Sequence, residues 1–156
     1  MKTELIFVGK TTNKHVGILI ADYVERIGHY MPFTITEIPE LRNTKSLSEK
    51  LQKEREGELI LQKIQPSDHL VLLDEHGQTF RSIEFAEWMQ KKQNTCRRLV
   101  FVIGGPYGFS EPVYKRANEQ ISLSRMTFSH QMVRLIFTEQ IYRACTIIKG
   151  EPYHHE

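Results

Sequence analysis

Short runs of almost uninterrupted apolar residues recur along this chain, and the intervals between them carry helical periodicity. That alternation constrains the fold more than any single motif. Leu5-Ile6-Phe7-Val8 closed by Gly9, His69-Leu70-Val71-Leu72-Leu73, and Leu99-Val100-Phe101-Val102-Ile103 have hardly a polar face to offer water. Strands of that kind are buried on both sides, as in a parallel sheet covered by helices. Thr34-Ile35-Thr36-Glu37-Ile38 alternates, is β-branched and stops at Pro39, which adds a further strand. Ile121 to Ser124 reads as the last. The pattern predicts an α/β fold with a largely parallel sheet, and doubly wound connections are the default order from periodicity alone.

The helical intervals have their own punctuation. Asn13 can cap a helix through Val16, Leu19, Ile20, Tyr23, Val24 and Ile27, with Gly28 placed to end it in left-handed geometry. Glu40 to Ser46 is polar and reads as a mobile loop. Ser46 with Glu49 matches a capping box for a charged, solvated outer helix running to about Ile64. Pro66-Ser67-Asp68 turns the chain into the third strand, and Asp74-Glu75-His76-Gly77 reads as the turn at its end. Ser82 opens an amphipathic helix through Phe85, Trp88 and Met89. After Ser129 comes a helix that leaves almost no polar face, from Met132 and Val133 to Ile147 and Ile148. A helix apolar nearly all round is buried on several sides, which suggests packing on the sheet and on a second subunit.

At 156 residues the chain is sized for one domain, long enough to bury about 68–70% of its unfolded surface without a metal or disulfide staple. No apolar run approaches the length of a membrane helix and no signal peptide precedes Leu5. Cys96 and Cys145 form no CxxC pair, and free thiols point to a reducing cytoplasm. The formal charge of +2 is far from the basic excess of a dedicated nucleic-acid binder. Contact with RNA must then come from local clusters such as Lys91, Lys92, Arg97 and Arg98, or Lys115, Arg116 and Arg125, or from their repetition in an oligomer.

Two stretches carry candidate chemistry. The strand ending at Ile103 runs into Gly104-Gly105-Pro106-Tyr107-Gly108, and Ser110, Glu111 and Pro112 then open a helix. Glycines at a strand end let the backbone approach a ligand, and the carboxyl edge of an open α/β sheet is where ligands bind. GGxxG after the fourth strand is not the dinucleotide fingerprint. The polar loop after the strand Ile121 to Ser124 lies on the same edge, so the two loops suggest one pocket. In the C-terminal part, Glu139 and Arg143 stand at i,i+4, Gly150 ends the helix, and Tyr153 and His154 suit base stacking or proton movement. The adjacent His154 and His155 make a poor metal pair, so no metal is expected.

Four segments, taken together and in order, resemble the ribosomal RNA large-subunit methyltransferase H family, small bacterial enzymes of the SPOUT class. They are Phe101 to Phe109, Leu123 to Gln131, Glu139 to Ala144, and Ile147 to His155. The likeness extends to the Leu5-to-Gly9 strand and to Met31-Pro32-Phe33 with Ile38-Pro39, so it covers the whole length as one domain, residues 1–156. It implies an α/β sheet whose C-terminal part is tied in a trefoil knot around S-adenosyl-L-methionine. It implies a cytoplasmic homodimer that methylates N3 of a pseudouridine in a stem-loop of large-subunit (23S) rRNA on the assembled ribosome. By motif, the cofactor contacts fall at Leu73, Gly104, Leu123, Ser124, Arg125, Met126, Thr127 and Phe128.

Transfer from a sulfonium to an imide nitrogen needs alignment, together with loss of the N3–H proton. On this basis Arg143 is nominated to stabilise an anion or phosphate, His154 as the base, and Tyr153 to orient the target. Two alternatives remain open on the sequence. One is another RNA such as tRNA as substrate; the other is a ribosome-binding module that holds the cofactor without reacting, its tail serving to dock.

Overall fold

The computed structural model describes all of residues 1–156. Five strands form one sheet, all parallel: β1 (Lys2–Val8), β2 (Phe33–Ile38), β3 (His69–Thr79), β4 (Arg98–Ile103) and β5 (Glu119–Ser122). Five helices connect or follow them: α1 (Lys14–Gly28), α2 (Glu49–Leu61), α3 (Ser82–Thr95), α4 (Glu111–Arg116) and α5 (His130–Lys149). Strand side chains alternate between two cores, as the pleat requires. Leu5, Phe7, Val71, Leu99 and Phe101 pack with Ile27 of α1, Phe85 and Met89 of α3, and Phe137 and Ile141 of α5. Ile6, Leu70, Leu72, Val100 and Val102 pack on the other face with Ile60 of α2 and Val113 of α4. The result is three layers, with α1, α3 and α5 on one side and α2 and α4 on the other.

The strand order is β2-β1-β4-β3-β5, which corrects the doubly wound default. β4 sits in the centre, between β1 and β3, and its residues Leu99 to Val102 are wholly buried. The two strands with polar positions, β2 and β5, take the edges, where one side of the ladder need not be covered. The chain leaving β3 enters α3 on one face, and the chain leaving β4 enters α4 on the other. Neighbouring strands that diverge in this way open a crevice at their carboxyl ends.

Several expected boundaries move. Gly28 closes α1 without a positive φ; the cap is His29 in right-handed geometry. The cap of α2 is Ser48, whose hydroxyl accepts from the Leu51 amide at 3.1 Å, because Ser46 belongs to a short 3-10 turn, Thr44–Ser46. That turn also gives structure to the segment expected to be a mobile loop. α2 stops at Leu61 instead of Ile64, and it is not wholly solvated: Glu56, Gly57 and Ile60 are buried. Asp74 to Gly77 is not a terminal turn, since β3 continues through an irregularity to Thr79 and pairs again with β5 at Gln78 and Thr79. β5 ends at Ser122, two residues before the expected boundary, which leaves Leu123 and Ser124 in the loop. Other signals hold: Asn13 caps α1, accepting from the His15 and Val16 amides, and Gly150 ends α5 at φ 71°.

Part of the basic clusters is tied up within the fold. Arg98 bridges the buried Asp68 and Glu4, Lys92 lies 2.8 Å from Glu119, and Arg116 donates to the carbonyls of Gln65 and Asp68 at 2.9 Å. These cations hold strand ends together and are not free for phosphate, whereas Lys91 and Arg97 remain exposed.

Candidate active site

The crevice is a cleft of about 490 Å³ at the carboxyl ends of β3, β4 and β5. Its wall begins where β3 passes Leu73, where β4 gives way to Gly104, and where β5 gives way to Leu123. Gly108, at φ 80°, lets the Gly104-to-Phe109 loop fold back on itself. The Gly108 amide donates to the Gly105 carbonyl at 3.2 Å. In the answering loop the Ser124 hydroxyl accepts from the Met126 amide at 2.9 Å, while Ser122 donates to the Ser124 carbonyl at 3.1 Å. Of the residues expected at a cofactor, Leu73, Gly104, Leu123, Ser124, Met126, Thr127 and Phe128 line the cleft. Arg125 does not; it is exposed outside the wall. Met126 stands 79% exposed at the mouth.

The wall is mixed in the way a nucleoside requires. Leu73, Ile103, Phe109, Phe128 and Val133 give it apolar surface, and Ser122, Thr127 and Asp74 give polar groups between backbone amides and carbonyls. Asp74 is clamped. It accepts from the Tyr114 hydroxyl and from the His76 amide at 2.9 Å. Burial alone would raise its pKa, but the hydrogen bonds from Tyr114 and His76 outweigh it and hold the carboxyl below its usual value. Burial and then the same bond push Tyr114 up to about 12. The sequence reads Asp74 as a turn residue, with a ribose hydroxyl or a metal as the other possible partner; its hydrogen bond from Tyr114 pins α4 to the cleft floor.

A second cluster lies on α5 and the tail. The Arg143 guanidinium reaches Glu139 Oε1 at 2.6 Å and His154 Nδ1 at 3.0 Å, and it lies over the Tyr153 ring, 4.9 Å from the centroid. The Tyr153 hydroxyl donates to Glu139 at 3.0 Å and lies 3.4 Å from the Tyr23 hydroxyl on α1. Burial, then Tyr23 and Glu139, raise the Tyr153 pKa beyond the tyrosine range. Tyr142 meets the Tyr153 ring edge-on at 4.8 Å, and Tyr30 bonds Glu151. The tail is therefore docked onto α1 and α5. The structure brings Arg143, Tyr153 and His154 together, with Glu139 and Tyr23 as further members. The nomination of His154 as a base meets an obstacle, because Nδ1 already accepts from Arg143.

None of Glu139, Arg143, Tyr153 and His154 lines the cleft. Val133 lines the cleft, and Arg143 lies ten residues farther along α5, about 15 Å away.

Two buried charges went unread in the sequence. Arg134, only 4% exposed, donates to the Val8 carbonyl at 2.7 Å and to Thr11 at 3.1 Å, and it stacks 4.0 Å over Phe7. Burial lowers its pKa. With Gln131, which accepts from the Thr12 and Asn13 amides, it ties α5 to the end of β1 beside the cleft. Glu56 is buried against Gly105, and burial raises its pKa. Both sit on the apolar stripe of their helices, Arg134 with Phe137 and Ile141 and Glu56 with Ile60, and a charge on such a stripe is the signal that would have found them.

A parallel sheet covered on both faces, with a ligand cleft at the carboxyl ends of diverging strands, defines an open-sheet α/β ligand-binding protein. The chain belongs to the SPOUT methyltransferase family: the family described as Predicted SPOUT methyltransferase matches residues 1–154. It is similar over its whole length to proteins named Ribosomal RNA large subunit methyltransferase H. It is 62% identical to those of Bacteroides fragilis and Bacteroides thetaiotaomicron and 59% identical to that of Phocaeicola vulgatus, each alignment covering 100% of both chains.

Proposed function

We propose that this chain is a cytoplasmic, S-adenosyl-L-methionine-dependent methyltransferase of large-subunit rRNA, acting as a homodimer at N3 of a pseudouridine on the assembled ribosome. Residues 1–156 form the single domain of each protomer. The observation that carries the reading is the cleft between the ends of β3, β4 and β5, whose wall suits an adenosine and whose loops are those the resemblance assigns to the cofactor. The names of the relatives supply the substrate.

When bound, S-adenosyl-L-methionine supplies a methyl group on a positively charged sulfonium. Leu73, Ile103 and Phe128 would give the adenine an apolar wall, and the backbone of Leu123 to Phe128 would offer it hydrogen-bonding groups. Gly104 and Gly105 let the loop pack closely on Phe109 and Glu56, which fixes the wall that would hold the ligand. Holding the two reactants in line can lower the barrier by about 7–11 kcal/mol. Met126 and Tyr107, exposed at the mouth, are placed to exclude water.

The homodimer reading rests on the separation of the two clusters. Arg143, about 15 Å beyond Val133 along α5, and the tail residues bound to it line no part of their own cleft and can serve that of a second copy. Ile18 and Leu19 of α1, Ile83 of α3 and Met132 of α5 are exposed on one helical layer, an apolar surface of the kind that marks an interface. Mixed dimers test this. A protomer carrying Arg143→Ala mixed with one carrying Gly104→Trp, each inactive alone, should regain about a quarter to a half of wild-type methylation. No recovery in mixtures shown to exchange subunits would refute a shared site.

A further inference from the structure

We propose that His154 acts on the RNA as a hydrogen-bond donor, through Nε2–H to a carbonyl oxygen of the target base, and not as the base that takes the imide proton. The proposal rests on the rRNA reading above and assigns a role within it. A guanidinium has only donors and is never deprotonated in a protein. Arg143 Nη1 lies 3.0 Å from His154 Nδ1, so Nδ1 presents its lone pair. A ring with a bare Nδ1 carries its one proton on Nε2. A doubly protonated ring would set N–H against N–H.

The rest of the cluster has the same polarity. Glu139 accepts from Arg143, from Tyr153 and, through its other oxygen, from Gln140 at 3.0 Å. Tyr153 donates to Glu139, which leaves its oxygen to accept from Tyr23. Arg143, Tyr153 and Tyr23 thus each turn a donor inward, and Glu139 accepts three bonds. One polar function is left over: His154 Nε2 is buried with no partner in the chain, and Glu156 Oε1 is 3.9 Å away. An unsatisfied buried donor costs about 1–3 kcal/mol and calls for an explanation. A carbonyl oxygen brought by the substrate supplies one. Glu156, the carboxylate near Nε2, is paired with the exposed Arg81 at 3.0 Å and would swing aside for a substrate to reach the ring.

The chemistry asks for such a donor. The imide N–H proton leaves to water, the N–C bond forms as the S–C bond breaks, and the sulfonium becomes a neutral thioether. While the nitrogen is deprotonated, its charge is shared with the two flanking carbonyls. A fixed donor on one of them stabilises that charge, and loss of one such donor typically costs about 10²–10³ in kcat. Arg143 is then a positioning residue that sets the tautomer, and Tyr153 and Glu139 hold Arg143.

Long-range ¹H–¹⁵N NMR on the full chain labelled at histidine tests the tautomer without any RNA. The His154 signals, assigned by their absence in His154→Gln, should show the Nε2–H form, and Arg143→Met should remove the preference. An Nδ1–H or doubly protonated ring would overturn the proposal. In methyl transfer to ribosomes, His154→Ala should lose about 10²–10³ in kcat. His154→Gln, whose amide keeps a donor but no basic nitrogen, should recover at least tenfold over alanine and keep the wild-type pH profile. Glutamine as inactive as alanine, or a profile that loses its lower limb, would establish the base instead. A wild-type protein that methylates no ribosomal RNA would refute the functional reading itself, whatever the tautomer.

Discussion

Gly77 offers a test of how the sheet shapes the cleft. A Cβ at this position would lie 2.6 Å from the Gln120 carbonyl carbon and the Ile121 nitrogen, and 2.7 Å from the Ile121 carbonyl carbon. Those are backbone atoms of β5, so no rotamer change can relieve the contact. Gly77→Ala must push β5 outward by about 0.8 Å to restore ordinary contact at 3.4 Å. The rungs at risk are Gln78 with Ile121 and Thr79 with Ser122. Overpacking costs about 1–3 kcal/mol and each hydrogen bond about 1 kcal/mol, so a loss of about 2–4 kcal/mol follows. For a domain of this size that lowers Tm by about 4–16 °C. Because β5 runs directly into Leu123 to Phe128, affinity for S-adenosylhomocysteine should fall at least tenfold at a temperature where the variant is still folded. Calorimetric melting and isothermal titration read the two effects. Gly28→Ala is the control: nothing lies within 4 Å and its φ is not positive, so it should gain about 0.4–1 kcal/mol. A Gly77→Ala protein with wild-type Tm and affinity would refute the close approach of β3 and β5.

Other perturbations reach different parts of the structure. Tyr114→Phe removes the hydroxyl that Asp74 accepts from, and should cost about 1.5–3 kcal/mol at pH 7. The Asp74 pKa is lowered in the fold, so this stability is present above the unfolded value near 3.8 and disappears as pH falls through the folded one; urea titrations at pH 7 and pH 3 check both ends. Glu56 has the opposite sign. Its folded pKa is raised, so its contribution is full below 4.5 and is lost as pH rises, which means Glu56→Gln should raise Tm at pH 8 and leave it unchanged near pH 4. Gln52, His130 and Glu40 are the groups acting on it, and a Tm gain at pH 4 equal to that at pH 8 would contradict the assignment. Arg98→Met leaves the buried Asp68 and the half-buried Glu4 without their cation and should cost about 3–5 kcal/mol in denaturant titrations, with no change in salt-dependent RNA binding beyond that expected from unfolding.

Much of this architecture is legible from local chemistry. The apolar runs mark the three inner strands because a residue buried on both faces of a sheet has no use for polarity, and Asn13, Ser129 and Gly150 mark helix ends because caps satisfy groups within a few residues. Strand order is not local. β4 lies between β1 and β3 because partners thirty and more residues away compete for the centre, and nothing in the run from Leu99 to Ile103 names its neighbours. The same distance hides ion pairs: Arg98 reads as part of a basic cluster until Glu4 and Asp68 are brought to it. Ser46 and Ser48 both offer a hydroxyl with an acid nearby, and the 3-10 turn over Thr44–Ser46 decides between them. At the site, the glycines and the Glu139–Arg143 spacing mark the two clusters. Which α5 residue reaches the cleft, and which His154 nitrogen faces Arg143, need coordinates, since periodicity carries neither contact across a surface nor the position of a proton.

The central claim is the transfer of a methyl group to large-subunit rRNA, and the most direct measurement offers labelled S-adenosyl-L-methionine with assembled ribosomes, naked 23S rRNA and tRNA in parallel. The account predicts label on assembled ribosomes alone, mapping to N3 of a pseudouridine. Label on tRNA, or none on any RNA while S-adenosylhomocysteine still binds the cleft, would contradict it.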